Sequence, residues 1–133
     1  MNARNQKSVS AWWKNIKDPE MKILAKLLTE RLASNNEAAQ KAGLIAYLKR
    51  KMQTDIVEFL YYKESGEDRP AFGTRCPQII SRYHWNPSGR EQTQVIKTFN
   101  YFDLERKAWR SFRPENLVRV NDNYSSFASE LYH

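Results

Sequence analysis

Residues 55–62 read Asp-Ile-Val-Glu-Phe-Leu-Tyr-Tyr, and at this stretch the hydrophobic pattern of the 133-residue chain changes its period. Alternate residues from Val57 onward fall on one face of an extended backbone, and their neighbours fall on the other, which predicts a strand. A polar turn containing a glycine is predicted at 63–67. Residues 69–75 are predicted to return as the second strand of a hairpin, near a sheet edge because they include a proline.

Three more strands are predicted after this hairpin, at residues 93–102, 109–113 and 117–121. A charged turn at 103–107 separates the first two, and a proline-led corner at 114–116 predicts one turn of 3₁₀ helix before the last. Residues 76–92 are predicted to be a long connection, because they are rich in proline, asparagine and glycine. The strand total is therefore five.

The chain before residue 53 has the periodicity of helices instead. Residues 20–33 predict an amphipathic helix, with Asp18 as its N-cap and Pro19 in its first turn. Residues 36–52 predict a second helix, capped by Asn35 or Asn36. Two shorter helices are predicted at the ends of the chain: one capped by Ser10 that contains Trp12, Trp13 and Ile16, and one within 122–133 capped by Ser125 or Ser126.

Positive charge is divided unevenly between these two parts. The formal net charge is +7; residues 1–52 hold eleven basic and four acidic side chains, and residues 53–133 hold eleven of each. A basic segment beside a neutral domain attracts polyanions such as nucleic acid. The alternative is a solvated helical face with no ligand, since lysine-rich helices are common.

Composition argues against several classes of protein. Apolar residues make up 41% of the chain, the mean hydropathy is −0.80, and no apolar run approaches the roughly 20 residues that span a bilayer, so we expect a folded cytoplasmic protein without a membrane role. One cysteine and two histidines fall short of a zinc site, and the glycines are too scattered to cradle phosphates, so no metal or cofactor is expected. No catalytic constellation is present, and the chain is predicted not to be an enzyme.

Two stretches resemble a known family. Residues 59–74 carry a Lys-Glu-Ser-Gly turn, and residues 101–113 read Tyr-Phe-Asp-Leu-Glu-Arg-Lys-Ala-Trp-Arg-Ser-Phe-Arg. Over about 54–120 the chain resembles a short WYL-like family of small Sm-like (SH3-like) β-barrel proteins. The resemblance implies proteins of phages and bacterial mobile elements, and distantly the WYL domains of bacterial regulators, which bind nucleic-acid-like ligands. Where those regulators carry Trp-Tyr-Leu, this chain has Ile96-Lys97-Thr98.

The predicted fold is therefore α+β, with an N-terminal helical segment followed by a five-stranded Sm-like barrel. The predicted divisions are a basic helical segment at 1–52, the barrel at 53–121, and a tail or short helix at 122–133. Most aromatic residues of so small a barrel are predicted to fill its interior. These residues are Phe59, Tyr61, Phe72, Phe99, Tyr101, Trp109 and Phe112.

The candidate residues for binding nucleic acid or another ligand are basic side chains and loop aromatics. Arginine forks pair with phosphates, and exposed aromatic rings stack on bases. The family resemblance implies a role for Arg110 and Arg113. The remaining candidates are Lys97 on the predicted third strand, Arg82, Tyr83 and Trp85 in the long connection, and Lys49, Arg50 and Lys51 at the end of the second helix. The last three also favour the helix macrodipole, which is a structural alternative.

Two functions are compatible with these features. The first is a non-enzymatic binding protein for nucleic acid or a nucleotide-like ligand, with a regulatory role as one option. The second is a module for protein interaction or self-assembly, in which the helices and the Trp12-Trp13 pair form the contact surface. Small barrels have edge strands open to pairing, so a homo-oligomer fits this second function.

Overall fold

The structure is a computed structural model that describes residues 11–83, 97–121 and 127–132. Three α-helices are described: α1 (Pro19–Arg31), α2 (Asn35–Lys51) and the four-residue α3 (Pro77–Ile80). Five strands follow the first two helices: β1 (Val57–Tyr62), β2 (Asp68–Thr74), β3 (Phe99–Asp103), β4 (Ala108–Phe112) and β5 (Leu117–Val120). Short 3₁₀ helices cover Trp12–Asn15, Pro114–Asn116 and Ala128–Tyr132.

The two long helices begin at capped positions. The Asp18 side chain accepts a hydrogen bond from the Glu20 amide at 3.0 Å, and Pro19 is the first residue of α1, as predicted. The predicted asparagine cap of α2 is wrong. Ser34 has the extended backbone that an N-cap requires, and its hydroxyl accepts from the Glu37 amide at 3.1 Å. The helix therefore begins one residue earlier, at Asn35.

The strands form one antiparallel sheet in the order β4-β3-β2-β1-β5. The predicted hairpin is confirmed, with a register that runs from Val57 opposite Gly73 to Tyr62 opposite Asp68. The predicted alternation along β1 is also confirmed, since Val57 and every second residue after it are buried. The predicted 3₁₀ turn lies at Pro114–Asn116, between β4 and β5.

Several predicted details of the strands and loops are wrong. The third strand begins at Phe99, and Lys97 and Thr98 lie in a turn before it; residues 93–96 lie outside the described residues. The predicted connection after β2 contains α3, because Pro77 favours a first helical turn. Phe72 is 41% exposed, because its position on β2 faces outward opposite Glu58. Trp109 is half-buried on the outer face, where its ring packs on Phe102.

Helices and sheet share a single hydrophobic core. Buried side chains from α1 and α2 lie in the same cluster as Phe59, Tyr101 and Leu117 from the sheet. The Lys41 ammonium donates a hydrogen bond to the Leu117 carbonyl, and burial lowers the pKa of Lys41 although Glu37 and Glu115 oppose this shift. The helical layer is therefore fixed against β5 and the turn that precedes it.

The C-terminal segment docks on α2. A Cβ added at Gly43 would lie 2.1 Å from the Phe127 carbonyl oxygen, so the close approach of this segment requires glycine. The Phe127 ring meets the Tyr47 ring edge-on at 5.2 Å between centroids. The predicted terminal helix is a 3₁₀ helix at Ala128–Tyr132, and its predicted caps, like Ser10 at the other end, lie outside the described residues. No helix in the described ranges is long and apolar enough to cross a membrane.

Candidate nucleic-acid interface

A basic cleft lies where the β1–β2 turn approaches the end of β4. Three adjoining cavities of about 210, 530 and 570 Å³ form it, and Arg113 lines all three. We call this region the arginine cleft. Its basic lining residues are Arg31, Lys63, Arg69, Lys97, Arg110 and Arg113. Its acidic lining residues are Glu64 and Glu115, so the cleft carries a clear excess of positive charge.

Two tyrosine hydroxyls meet inside the barrel beneath this cleft. The hydroxyls of Tyr61 and Tyr101 are 2.8 Å apart. Burial is the main cause that raises the pKa of Tyr101 well above its usual range, and the contact with Tyr61 adds to it, so this phenol keeps its proton at physiological pH. Arg69 is the cross-strand partner of Tyr61, and Arg110 is that of Tyr101. Both arginines therefore lie on the inward face, near the two hydroxyls.

Asp103 positions one of these arginines. One carboxylate oxygen accepts from the amides of Glu105 and Arg106, at 2.9 and 3.1 Å, and the other lies 3.3 Å from Nε of Arg110. The carboxylate is 4% exposed, whereas the Arg110 side chain remains 31% exposed. A buried carboxylate thus holds the inner side of the guanidinium while part of that group remains accessible from the cleft.

Basic groups at the rim have weaker partners. Arg113 lies 3.6 Å from Glu64, and both side chains are more than half exposed. Arg31 and Glu115 are also 3.6 Å apart. Exposed ion pairs of this kind contribute at most about 1 kcal/mol, so a phosphate can displace the carboxylate. Within the described residues, Arg69 and Lys97 make no ion pair at all.

The three predicted site residues at the end of α2 lie elsewhere. Lys49 contacts Asp18 and Glu20, each at 2.8 Å, and Lys51 lies 3.5 Å from Asp55. Arg50 binds both oxygens of Glu130, at 3.1 Å each. We call these contacts the helical ion-pair network.

The pKa shifts in this network agree with its geometry. Burial disfavours the charge of Lys49, but the two carboxylates outweigh burial and raise its pKa. Burial likewise disfavours the charge of Asp18, but Lys49 and two backbone amides outweigh it and lower the pKa of that carboxyl. A binding role for the α2 residues would have to compete with these contacts.

The other candidates are only partly described. Arg82 and Tyr83 are exposed just after α3, and neither lines the described part of the arginine cleft. Trp85 lies outside the described residues. Of the predicted set, Lys97, Arg110 and Arg113 are thus the ones that the fold brings together.

Sequence reasoning missed Arg69 and Lys63 as members of the cleft. The signal was present in the hairpin register, because a turn at 63–67 places Arg69 opposite Tyr61 on the inward face. It missed the two hydroxyls for a different reason. Tyr61 and Tyr101 were predicted only as interior aromatics, and their contact across the barrel depends on the closure of the sheet.

Comparisons with known proteins identify the barrel. Searches of the curated proteins and of the solved structures find no match to this chain. A family model described as WYL_2, Sm-like SH3 beta-barrel fold, matches residues 45–118. This range begins within α2, ends within β5 and covers more than half of the chain, which confirms the family resemblance and the barrel fold. The chain belongs to the WYL_2 family, which has the Sm-like SH3 β-barrel fold.

Proposed function

We propose that this protein is a non-enzymatic binding protein for nucleic acid, and that the arginine cleft receives the phosphates. The observation that carries this proposal is the convergence of Arg69, Arg110 and Arg113 on one cavity that Tyr61 also lines. Guanidinium groups form bidentate hydrogen bonds with phosphate oxygens, and these charge-assisted bonds are stronger than neutral ones. A nucleotide-like ligand with a phosphate group would use the same side chains.

The chemistry of the lining favours binding over catalysis. Its titratable acidic groups are Glu64 and Glu115, and each contacts an arginine. No histidine or cysteine lines the described part of the cleft. A general base needs a positioned proton acceptor near the reacting group, and these paired carboxylates are poor candidates for that role.

An exposed aromatic ring at the rim adds a second kind of contact. Tyr62 is 47% exposed and lines the cleft beside Lys63 and Glu64. Stacking of a base on such a ring contributes roughly 1–3 kcal/mol and depends little on sequence. Phosphate contacts from the arginines together with stacking on Tyr62 support binding with low sequence preference.

Fluorescence anisotropy of a labelled twelve-nucleotide oligothymidylate tests this proposal. The variant R69Q/R113Q removes two cleft charges, and neither residue is part of the core. We expect it to weaken binding at least tenfold, because hydrogen bonds to charged groups contribute about 1.5–3 kcal/mol each. The matched control, R106Q/K107Q, removes the same charge from the exposed β3–β4 turn. Equal affinities for the two variants would contradict the proposal.

A self-assembly module is the second candidate, on a surface different from the one first predicted. Trp12 and Trp13 pack against the core, and the Trp12 indole donates to the Thr29 hydroxyl at 3.2 Å. Exposed apolar side chains occur instead around the outer face of the β1–β2 hairpin, at Ile56, Tyr62 and Phe72. An oligomeric mass that is independent of nucleic acid and is lost in F72S would support this candidate.

A further inference from the structure

Helix α1 contributes side chains to the cleft cavity of about 570 Å³, which we call the junction cavity. Leu27 and Arg31 are four residues apart, so they lie on the same face of α1, and both line this cavity. Lys97, Thr98 and Arg113 line it from the barrel. The junction cavity therefore receives positive charge both from the helical segment and from the barrel.

The junction cavity adjoins the cavity of about 210 Å³, which we call the inner cavity. Thr98 and Arg113 line both of them. Arg69 and Arg110 line the inner cavity, whereas Arg31 lines the junction cavity and not the inner one. Arg113 thus lies between two groups of cations, and each group offers charged donors to a phosphate of its own.

The charge balance of the junction cavity leaves Arg31 accessible. Three basic side chains line this cavity against one carboxylate, that of Glu115. Nη1 of Arg31 lies 3.6 Å from the carboxylate, which exceeds the usual hydrogen-bond distance of about 2.7–3.2 Å. A guanidinium has several N–H donors in a fixed fork, and the Arg31 side chain is 51% exposed. A phosphate in the junction cavity can therefore reach this guanidinium.

We propose that the arginine cleft contains two phosphate subsites that meet at Arg113, and that Arg31 of α1 binds the second phosphate in the junction cavity. This inference rests on the proposed function of the cleft. The ligand is then a strand that places two phosphates in the cleft at once, whereas a nucleotide with one phosphate occupies only one subsite. The second subsite depends on this chain's helical segment, because the family match begins after α1, at residue 45.

The number of phosphates in the ligand provides the test. A thymidine trinucleotide has two phosphodiester groups, and a neutral methylphosphonate in place of one of them leaves the three nucleosides unchanged. Both trinucleotides are titrated as unlabelled competitors of the labelled twelve-nucleotide oligothymidylate, at about 50 mM salt, with the wild type and R31Q. R106Q is the matched control, because it removes one charge from the exposed β3–β4 turn. The long, partly exposed ion pair that R31Q removes contributes little to stability, so this variant should fold as the wild type does.

We expect the wild-type protein to bind the trinucleotide with two phosphates about tenfold more tightly than the one with a single phosphate, because hydrogen bonds to charged groups are strong. R31Q should reduce this preference to about twofold, and R106Q should keep it. If R31Q keeps the same preference as R106Q, or if the wild type binds the longer strand but shows no preference between the trinucleotides, the second subsite is wrong. In either case, weaker binding of R69Q/R113Q would still support the cleft. If the wild-type protein binds none of these strands, the proposed function itself fails.

Discussion

The helical ion-pair network and the arginine cleft both concentrate basic side chains, three at the end of α2 and six around the cleft, but they use the charge differently. In the network, Lys49 and Arg50 lie 2.8–3.1 Å from their carboxylate partners, and the Glu130 side chain is 1% exposed. In the cleft, Arg113 lies 3.6 Å from an exposed glutamate, and Arg69 has no acidic partner among the described residues. Positive charge of the first kind holds elements together, and charge of the second kind is available to a ligand.

This difference separates net charge from binding capacity. The helical segment carries the whole excess of +7, yet most of its described basic groups near α2 contact acids or a carbonyl of the same chain. The second half is neutral by count, but its fold gathers arginines on one side. The position of a polyanion site thus depends on how charges are paired in three dimensions.

The largest expected effect is on stability and concerns Glu130. The E130A variant leaves Arg50 without its bidentate partner and removes a buried side chain from the interface with α2. We expect a loss of about 2–3 kcal/mol in the free energy of unfolding, below the range for fully buried pairs because Arg50 is half exposed. Urea unfolding measures this loss, with E105A on an exposed turn as the control. An E130A protein as stable as E105A would contradict the structural role of the network.

A second stability effect connects the core to the cleft. A Cβ at Gly73 would lie 2.5 Å from Cδ2 of Tyr101, so G73A must displace the ring whose hydroxyl contacts Tyr61. Overpacking of this kind costs typically 1–3 kcal/mol. We expect the melting temperature and the oligonucleotide affinity of G73A to fall together. Retained affinity in a destabilised G73A protein would show that the tyrosine pair does not shape the cleft.

A smaller effect should distinguish the helical ion-pair network from the arginine cleft, because a variant in one should change stability and a variant in the other should change affinity. K49Q removes contacts with Asp18 and Glu20 but no lining group of the cleft. We expect K49Q to lower the unfolding midpoint in urea while its affinity for the twelve-nucleotide oligothymidylate stays within about twofold of wild type at matched salt. R113Q removes one charge from the cleft, so it should lower the affinity for the same oligonucleotide and leave the unfolding midpoint close to that of wild type. A drop in affinity for K49Q that equals that of R113Q would place nucleic acid on the helical network.

The smallest effect is a dependence of stability on acid pH. The pKa of Asp18 is lowered in the folded protein, so the carboxylate contributes stability above its unfolded pKa near 4, and this contribution is lost as the pH falls through the lower folded value. We expect the difference in unfolding free energy between wild type and D18N to shrink between pH 6 and pH 2.5. A difference that is independent of pH over this window would argue against the ion pair with Lys49.

Local signals predicted much of this architecture. Asp18 followed by Pro19 located the start of α1, and the alternation from Val57 located β1 and its hairpin. Less visible were features that depend on contacts between distant elements. All five residues of β3 are buried, so no alternation marks its ends. The partners of Lys49 belong to the start of α1, and periodicity within α2 carries no information on how the two helices cross.

The same distinction applies to the candidate site. Arg110 and Arg113 were predicted from the family resemblance, and the fold places both in one cleft with Lys97. The hairpin register is sufficient to identify Arg69 as an inward-facing neighbour of Tyr61, but Arg69 was not among the predicted site residues.

The central claim is that nucleic acid binds the arginines of the cleft and not the basic residues of the helical ion-pair network. The most direct measurement is an NMR titration of ¹⁵N-labelled protein with a four-nucleotide oligothymidylate, followed at the arginine Nε–Hε resonances. We expect the resonances of Arg69, Arg110 and Arg113 to shift and saturate together while that of Arg50 remains in place. Movement of Arg50 with unchanged cleft resonances, or no movement of any arginine at saturating ligand, would contradict the claim.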